Sequence, residues 1–125
     1  MPTYKRPERL KRAVESALNQ SFKDFEIIIV NNADEKIILP IQDDRISVLQ
    51  EEKKGANYAR NKGIENAKAD FICFLDDDDV YLDNHLETMH NMILKHDKKV
   101  ALYRTFTNQE VLPGVFENQP VITKP

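Results

Sequence analysis

Phe71-Ile72-Cys73-Phe74-Leu75 runs without a break into Asp76-Asp77-Asp78-Asp79. Apolar residues in a row, with no alternation, read as a strand covered on both faces, the kind found in parallel sheets. The carboxylates follow at its carboxyl end, where ligands of open α/β sheets bind. Like charges this close repel and raise one another's pKa unless a cation is present. A hard divalent ion prefers oxygen ligands and is the natural partner. The plain alternative is a solvated acidic turn capping the next helix, where Asp is favourable. An EF-hand fails as an explanation. Asp76, Asp78 and Glu87 suit its first, third and twelfth positions, but Val80 and Tyr81 stand where a ligand and a Gly are required.

Outward from this stretch, two periodicities alternate. Leu10, Ala13, Val14, Ala17 and Leu18 fall at helical spacing behind Pro7, which suits a first turn. Phe25 to Val30 is a second buried strand, and Ile46 to Leu49 a short third one. Ala56 to Lys68 reads as a helix with Ala56, Ala59, Ile64 and Ala67 on one face. Leu82, Leu86, Met89 and Ile93 define another helix, and Val100 to Phe106 a further strand. From Thr107 the pattern is lost, and a loop or tail with one edge strand near Val111 to Phe116 is expected. Helices alternating with strands imply an α/β domain with a mostly parallel sheet. The chain opens on Pro2-Thr3-Tyr4, which reads as the loop between a strand and the Pro7 helix, with no strand before it.

A length of 125 residues suits one domain. The 18 Lys and Arg against 21 Asp and Glu leave a net charge of −3, which argues against a dedicated nucleic-acid binder. No apolar run approaches the roughly 20 residues of a membrane helix. No secretory leader is visible. The lone Cys73 excludes an internal disulfide framework and is expected to be a small core residue in its strand. His85, His90 and His96 do not share a helix face and are expected to face solvent.

Gly55-Ala56-Asn57-Tyr58-Ala59-Arg60-Asn61-Lys62-Gly63 opens the second helix with small residues that permit close packing on a sheet. Arg60 stands beside that small-residue face. It is expected to have an anionic partner, either the acidic cluster or a phosphate, the alternative being a surface pair with Glu51 or Glu52. Neither a P-loop nor a dinucleotide fingerprint is present.

These pieces, in this order, resemble the family 2 glycosyltransferases, the inverting nucleotide-sugar enzymes of the GT-A fold. The resemblance covers Pro2 to about Phe106. It rests on Pro2-Thr3-Tyr4-Lys5-Arg6 (where the family has a Pro-Thr-Tyr-Asn-Arg type loop), Ala17 to Phe22, Phe25 to Val30, Gly55 to Gly63 and Phe74 to Asp79. It implies a three-layer sandwich of the nucleotide-diphospho-sugar transferase type, incomplete at both ends. Residues 1–106 would form the donor-binding half, and 107–125 would lead toward an acceptor half. By the resemblance, Pro2, Thr3 and Tyr4 meet the nucleotide, with Tyr4 stacking on the base, and Arg60 lies near the base and diphosphate. Asp76-Asp77-Asp78 matches the Asp-x-Asp motif, with Asp76 toward the ribose and Asp78 on the Mn²⁺ or Mg²⁺ that bridges the phosphates. The implied donor is a UDP-linked sugar and the implied acceptor a glycan or lipid-linked glycan, as in polysaccharide biosynthesis.

Two departures stand out. Asn31 replaces the Asp that accepts the uracil N3–H in the family, and Asp34 replaces a common Ser. The first strand, expected in the middle of the sheet between the Phe25 and Phe71 strands, is expected to be absent. The family's general base is expected beyond Pro125, since neither Glu110 nor Glu117 lies in a similar context. The sequence therefore carries two readings: a metal-dependent glycosyltransferase domain, or a non-catalytic interaction module that keeps the nucleotide-binding fold. A phosphoacceptor receiver domain is a poorer match, because Asn31-Asn32 supplies no early acidic pair. The expected setting is the cytoplasm, at the inner face of a membrane in the full-length context. An open sheet edge would favour a homo-oligomer.

Overall fold

The computed structural model describes residues 1–95, 107–112 and 115–119. Met1–Thr88 form one compact unit and Met89–Pro125 a second. In the first unit, α1 spans Pro7–Leu18, with Pro7 in the first turn and Glu8 at the favourable end of the helix dipole. Leu10, Ala13, Val14 and Ala17 form its buried stripe, at the spacing read from the sequence.

A parallel sheet has the order β1-β2-β3, with β1 at Pro2–Thr3, β2 at Ile27–Asn31 and β3 at Ile46–Gln50. Pro2 pairs with Val30 and Thr3 with Asn31; Ile27 to Asn31 run beside Ile46 to Gln50. Where the sequence led us to expect no first strand, there is a strand of 2 residues. The Met1 carbonyl accepts from Val30 N–H and the Thr3 carbonyl from Asn32 N–H, each at 2.9 Å.

Side chains alternate across a strand, so β2 serves two layers. Ile27 and Ile29 join Leu10, Ala13, Val14, Ala17 and Leu75 in one buried cluster under α1. The other face meets α2, Ala56–Glu65, which touches both β1 and β2. There the Cα of Gly63 stands close enough that an added Cβ would meet Val30 Cγ2 at 3.6 Å. Burial on both faces is why β2 reads as an unbroken apolar run. β3 is an edge strand with Ser47, Val48 and Gln50 exposed.

Three expectations change. Phe71 to Leu75 is not a strand, and Phe71, Ile72, Cys73 and Phe74 are exposed, so Cys73 is not a core residue. The reason lies in β1: two residues long, and with Pro2 lacking an N–H, it offers almost no ladder to a longer neighbour. The Ala56 helix ends at Glu65; the Lys68 N–H bonds to Glu26 Oε1 at 2.7 Å instead of continuing the helix. The Leu82 helix begins later, as α3 at His85–Lys95. His85 is half-buried there and stacks on Tyr81 at 4.2 Å, contrary to a solvent-facing placement.

In the second unit, β4 (Thr107–Leu112) and β5 (Val115–Gln119) form an antiparallel hairpin with an irregular register between Glu110 and Leu112. A hairpin replaces the expected loop or tail; Val111, Val115 and Phe116 flank Pro113-Gly114, a pairing signal of β-formers around turn formers. The expected Val100 to Phe106 strand and His96 lie outside the described residues.

Gln20 is fully buried and joins α1 to the segment before α3. Its Nε2 donates to the Ser16 and Leu82 carbonyls, at 3.1 and 2.7 Å, and its Oε1 accepts from Leu86 N–H at 2.9 Å. Gln20→Leu strands the Leu86 N–H, while the Leu82 carbonyl keeps His85 N–H at 2.9 Å, and is expected to cost about 1–3 kcal/mol in urea unfolding. An unchanged midpoint would show that water replaces the amide.

Burial lowers the His85 pKa from its ordinary 6.5. The unfolded chain therefore takes this proton first on acidification, and stability present above pH 6.5 is lost as pH falls from that value toward the folded one. His85→Phe keeps an aromatic ring without the titration. The variant should lose less melting temperature than the wild type between about pH 8 and about pH 5.5. Equal losses would exclude His85 as a contributor.

Candidate functional site

The carboxyl ends of β1 and β2, the start of α1, the first turns of α2 and the acidic stretch converge. Thr3 ends β1 and is buried; its Oγ1 donates to Asp77 Oδ2 at 2.8 Å. Asp77 is buried as well. Beyond Thr3 the chain turns sharply. Tyr4 is half exposed, with Lys5 Nζ 5.8 Å from its ring centroid. Lys5 has φ 53, the left-handed region that side chains other than Gly, Asn and Asp rarely adopt. That turn points Arg6 at the acidic stretch. Its guanidinium donates to Asp78 Oδ2 at 2.9 Å and to Asp77 Oδ1 at 3.4 Å. Arg9, three residues on and so on the same helix side, lies 3.6 Å from the same Asp78 oxygen.

Arg60 reaches Asp76 from α2, donating to both carboxylate oxygens at 2.8 and 3.0 Å. Both bonds come from the one Nη2, a charge-assisted contact shared between the two oxygens. The acidic cluster, not Glu51 or Glu52, is thus the partner of Arg60. Asp79 is less compensated. Burial, then the neighbouring Asp78 and Asp76 charges, push its pKa up.

Asn31 and Asn32 build the floor beside Thr3. Asn31 is buried with all its polar functions engaged. Nδ2 donates to the Glu35 carbonyl at 2.7 Å and to Gln50 Oε1 at 3.0 Å, and Oδ1 accepts from Ala33 N–H at 3.1 Å. A carboxylate there could not donate to Glu35 or Gln50, so the surrounding acceptors suit the amide. Asn32 holds the loop before α2. It donates to the Glu51 and Lys53 carbonyls at 2.9 and 2.8 Å and accepts from Gly55 N–H at 2.7 Å. Gly55, the residue before α2, has φ 131, a conformation open to glycine. Asp34 is exposed and ion-paired with Lys54, whose hydrogen bond lowers its pKa. Its charge is therefore matched locally.

Pro2, Thr3, Asn31, Arg60, Asp76, Asp77 and Asp78 all fall in this region, and Tyr4 stands half exposed beside them. Arg6, Arg9 and Asn32 are further residues here that motif reading assigned no role. The one available signal was their neighbourhood: Arg6 closes the Pro2 to Arg6 loop, and Asn32 follows a buried strand. Among the described residues, no three or more His, Cys, Asp or Glu side chains gather as a ready-made metal cage. The carboxylate oxygens are nevertheless the donor type that Mg²⁺ or Mn²⁺ takes, and Asp78 is part exposed.

A parallel α/β sandwich with a carboxylate–arginine cluster at its strand ends is the architecture of a GT-A glycosyltransferase domain. The family model for glycosyl transferase family 2 matches residues 1–119, and the chain belongs to that family. Glycosyltransferase GlyG of Streptococcus pneumoniae is 32% identical over 117 residues, spanning 88% of this chain and 39% of that protein. The GalNAc(5)-diNAcBac-PP-undecaprenol beta-1,3-glucosyltransferase of Campylobacter jejuni is 39% identical over 97 residues, spanning 71% of this chain and 31% of that protein. The chain thus spans well under half the length of these relatives. The fold resembles that of S. aureus TarS, with a TM-score of 0.66 over 77% of this chain and 19% of TarS, at 23% identity. No helix among the described residues is long and apolar enough to cross a membrane.

Lys5 stands in a left-handed turn where the resemblance places Asn, a residue that tolerates this turn. Lys5→Asn is expected to raise stability by about 0.5–1 kcal/mol, because a left-handed non-glycine residue is strained. The exposed Lys5–Glu35 pair it removes contributes little. A urea midpoint that is unchanged or lower would refute this account of the turn.

Proposed function

We propose that this chain forms the nucleotide-diphosphate-sugar binding portion of a family 2 glycosyltransferase. The donor is UDP-linked, the cofactor is Mn²⁺ or Mg²⁺, and the sugar passes to a glycan or lipid-linked acceptor. The observation that carries the reading is the convergence of Thr3, Arg6 and Arg60 on Asp76, Asp77 and Asp78 at the carboxyl ends of a parallel sheet. Tyr4 presents a half-exposed ring at the edge of this cluster, suited to stacking on a base.

Asp78 would hold the metal through a hard carboxylate oxygen. A bound divalent cation neutralises the diphosphate leaving group. Arg60 fixes the Asp76 carboxylate toward the ribose, and Thr3 holds Asp77 so that the turn between them keeps its shape. The Campylobacter relative is named for a PP-undecaprenol-linked glycan, which supports a lipid-linked acceptor here. We assign no general base among residues 1–125.

Calorimetry of the chain with UDP and Mn²⁺ tests the proposal. Metal-dependent binding is expected, weakened in Asp78→Ala by about tenfold or more, equivalent to about 1.4 kcal/mol. Absence of heat with the wild type, or equal affinity in the variant, would contradict it. GDP and CDP run in parallel read the base preference that Asn31 leaves.

A further inference from the structure

Resting on that reading, we propose that Arg6 is the resident counter-ion of Asp77 and Asp78. It competes with the divalent cation for Asp78 Oδ2, so metal binding at that oxygen must displace it.

The geometry is specific. Asp78 Oδ2 accepts from Arg6 at 2.9 Å and has Arg9 at 3.6 Å. A Mg²⁺-sized ion on this oxygen, at about 2.0–2.1 Å, would have to compete with both guanidinium groups for it. Two guanidinium charges would also repel a divalent ion held there. Arg60 is not in the same position, because it is committed to both oxygens of Asp76.

Arg6 is built to let go. Its backbone is pinned by the turn at Lys5 on one side and Pro7 on the other, and its carbonyl accepts from Leu10 N–H at 2.9 Å. Its side chain is 49% exposed and that of Asp78 41%, so the contact is one that water and ions reach. Such pairs are weak. Asp77, by contrast, keeps its Thr3 bond when Arg6 leaves. The turn therefore does not depend on Arg6 for its position.

The test is Mn²⁺ binding without nucleotide, followed by the electron paramagnetic resonance of free Mn²⁺. Arg6→Gln is expected to bind Mn²⁺ about three- to tenfold tighter than the wild type, the range that the loss of one exposed ion pair and one positive charge allows. Arg12→Gln removes the same charge from an exposed position of α1 and is expected to change affinity much less. Unchanged or weaker binding in Arg6→Gln overturns the proposal. So does an equal gain in Arg12→Gln, which would make the effect one of net charge.

Arginine side-chain NMR of the wild type with Mg²⁺ gives a second measure that needs no variant to fold. The Arg6 guanidinium signal must shift as metal binds, and a fixed signal with bound metal overturns the proposal. If no protein binds metal, this inference fails together with the metal assignment. UDP calorimetry then shows separately whether donor binding survives.

Discussion

From Phe71 to Asn84 the chain has no helix or strand of its own, and the site depends on how that segment is held. Its backbone groups cannot satisfy one another along a ladder, so partners must come from elsewhere. Several come from α1 and the residues just after it. Ser16 Oγ accepts from Tyr81 N–H at 3.0 Å, Gln20 takes the Leu82 carbonyl, and Ser21 N–H donates to the Asp83 carbonyl at 2.8 Å, while Thr3 holds the Asp77 carboxylate. Tyr81 closes the segment on itself by donating to the Phe74 carbonyl at 2.9 Å, and burial pushes its hydroxyl pKa up. The helix and its C-terminal continuation thus do two tasks. Leu10, Ala13, Val14 and Ala17 pack on the sheet, while Ser16 and, just past the helix end, Gln20 dock the acidic segment. Rotating α1 to improve one face would break the other, which fixes its register.

Charge decides what the segment can be. A solvated acidic cap for the next helix is one way to accommodate four adjacent Asp residues, but α3 begins only at His85 and carries Glu87 as its own first-turn acid. Asp77 turns back into the fold instead, and Asp76 and Asp78 face arginines of the first unit. Asp77 is buried, and Asp76 and Asp78 are matched by arginines from two different helices and the turn before one of them. Taking a carboxylate out of water without a partner is costly, and Asp77, the buried one, has Thr3 and Arg6 to offset that cost. The arginines also tie α2 and α1 to a common centre across the sheet.

Much of this was legible in the sequence. The α1 stripe, the two-faced burial of Ile27 to Val30, the start of α2 and the gathering of Pro2, Thr3, Asn31, Arg60 and Asp76 to Asp78 follow from local pattern and resemblance. The misreadings have two causes. A strand needs a neighbour, and the apolar run at Phe71 to Leu75 has β1 beside it in chain logic but only Pro2 and Thr3 in fact. Cys73 was misplaced with it. Helix limits failed where a distant side chain captured a backbone group: Glu26 took Lys68 N–H, and Gln20 took Leu82 O. The roles of Arg6, Asn32 and Gln20 depend on contacts to residues far along the chain, which no local window contains. Lys5 is the opposite case. Its departure from Asn was visible as a difference, and the left-handed turn gives that difference a physical meaning.

The arginine contacts also bear on how two ligands would couple. If Arg6 must leave Asp78 before a cation can bind, metal alone meets a site already neutralised, and its affinity is reduced by the strength of that pair. A diphosphate arriving with the metal changes the balance, because the released guanidinium then faces an anion suited to its fork. Each ligand removes an obstacle to the other, and such coupling is reciprocal by thermodynamic necessity. The same carboxylates would bind a free divalent ion weakly and a metal–nucleotide pair well. On the proposed reading, an acidic loop paired with Arg6 would favour a diphosphate-bound cation over a free one.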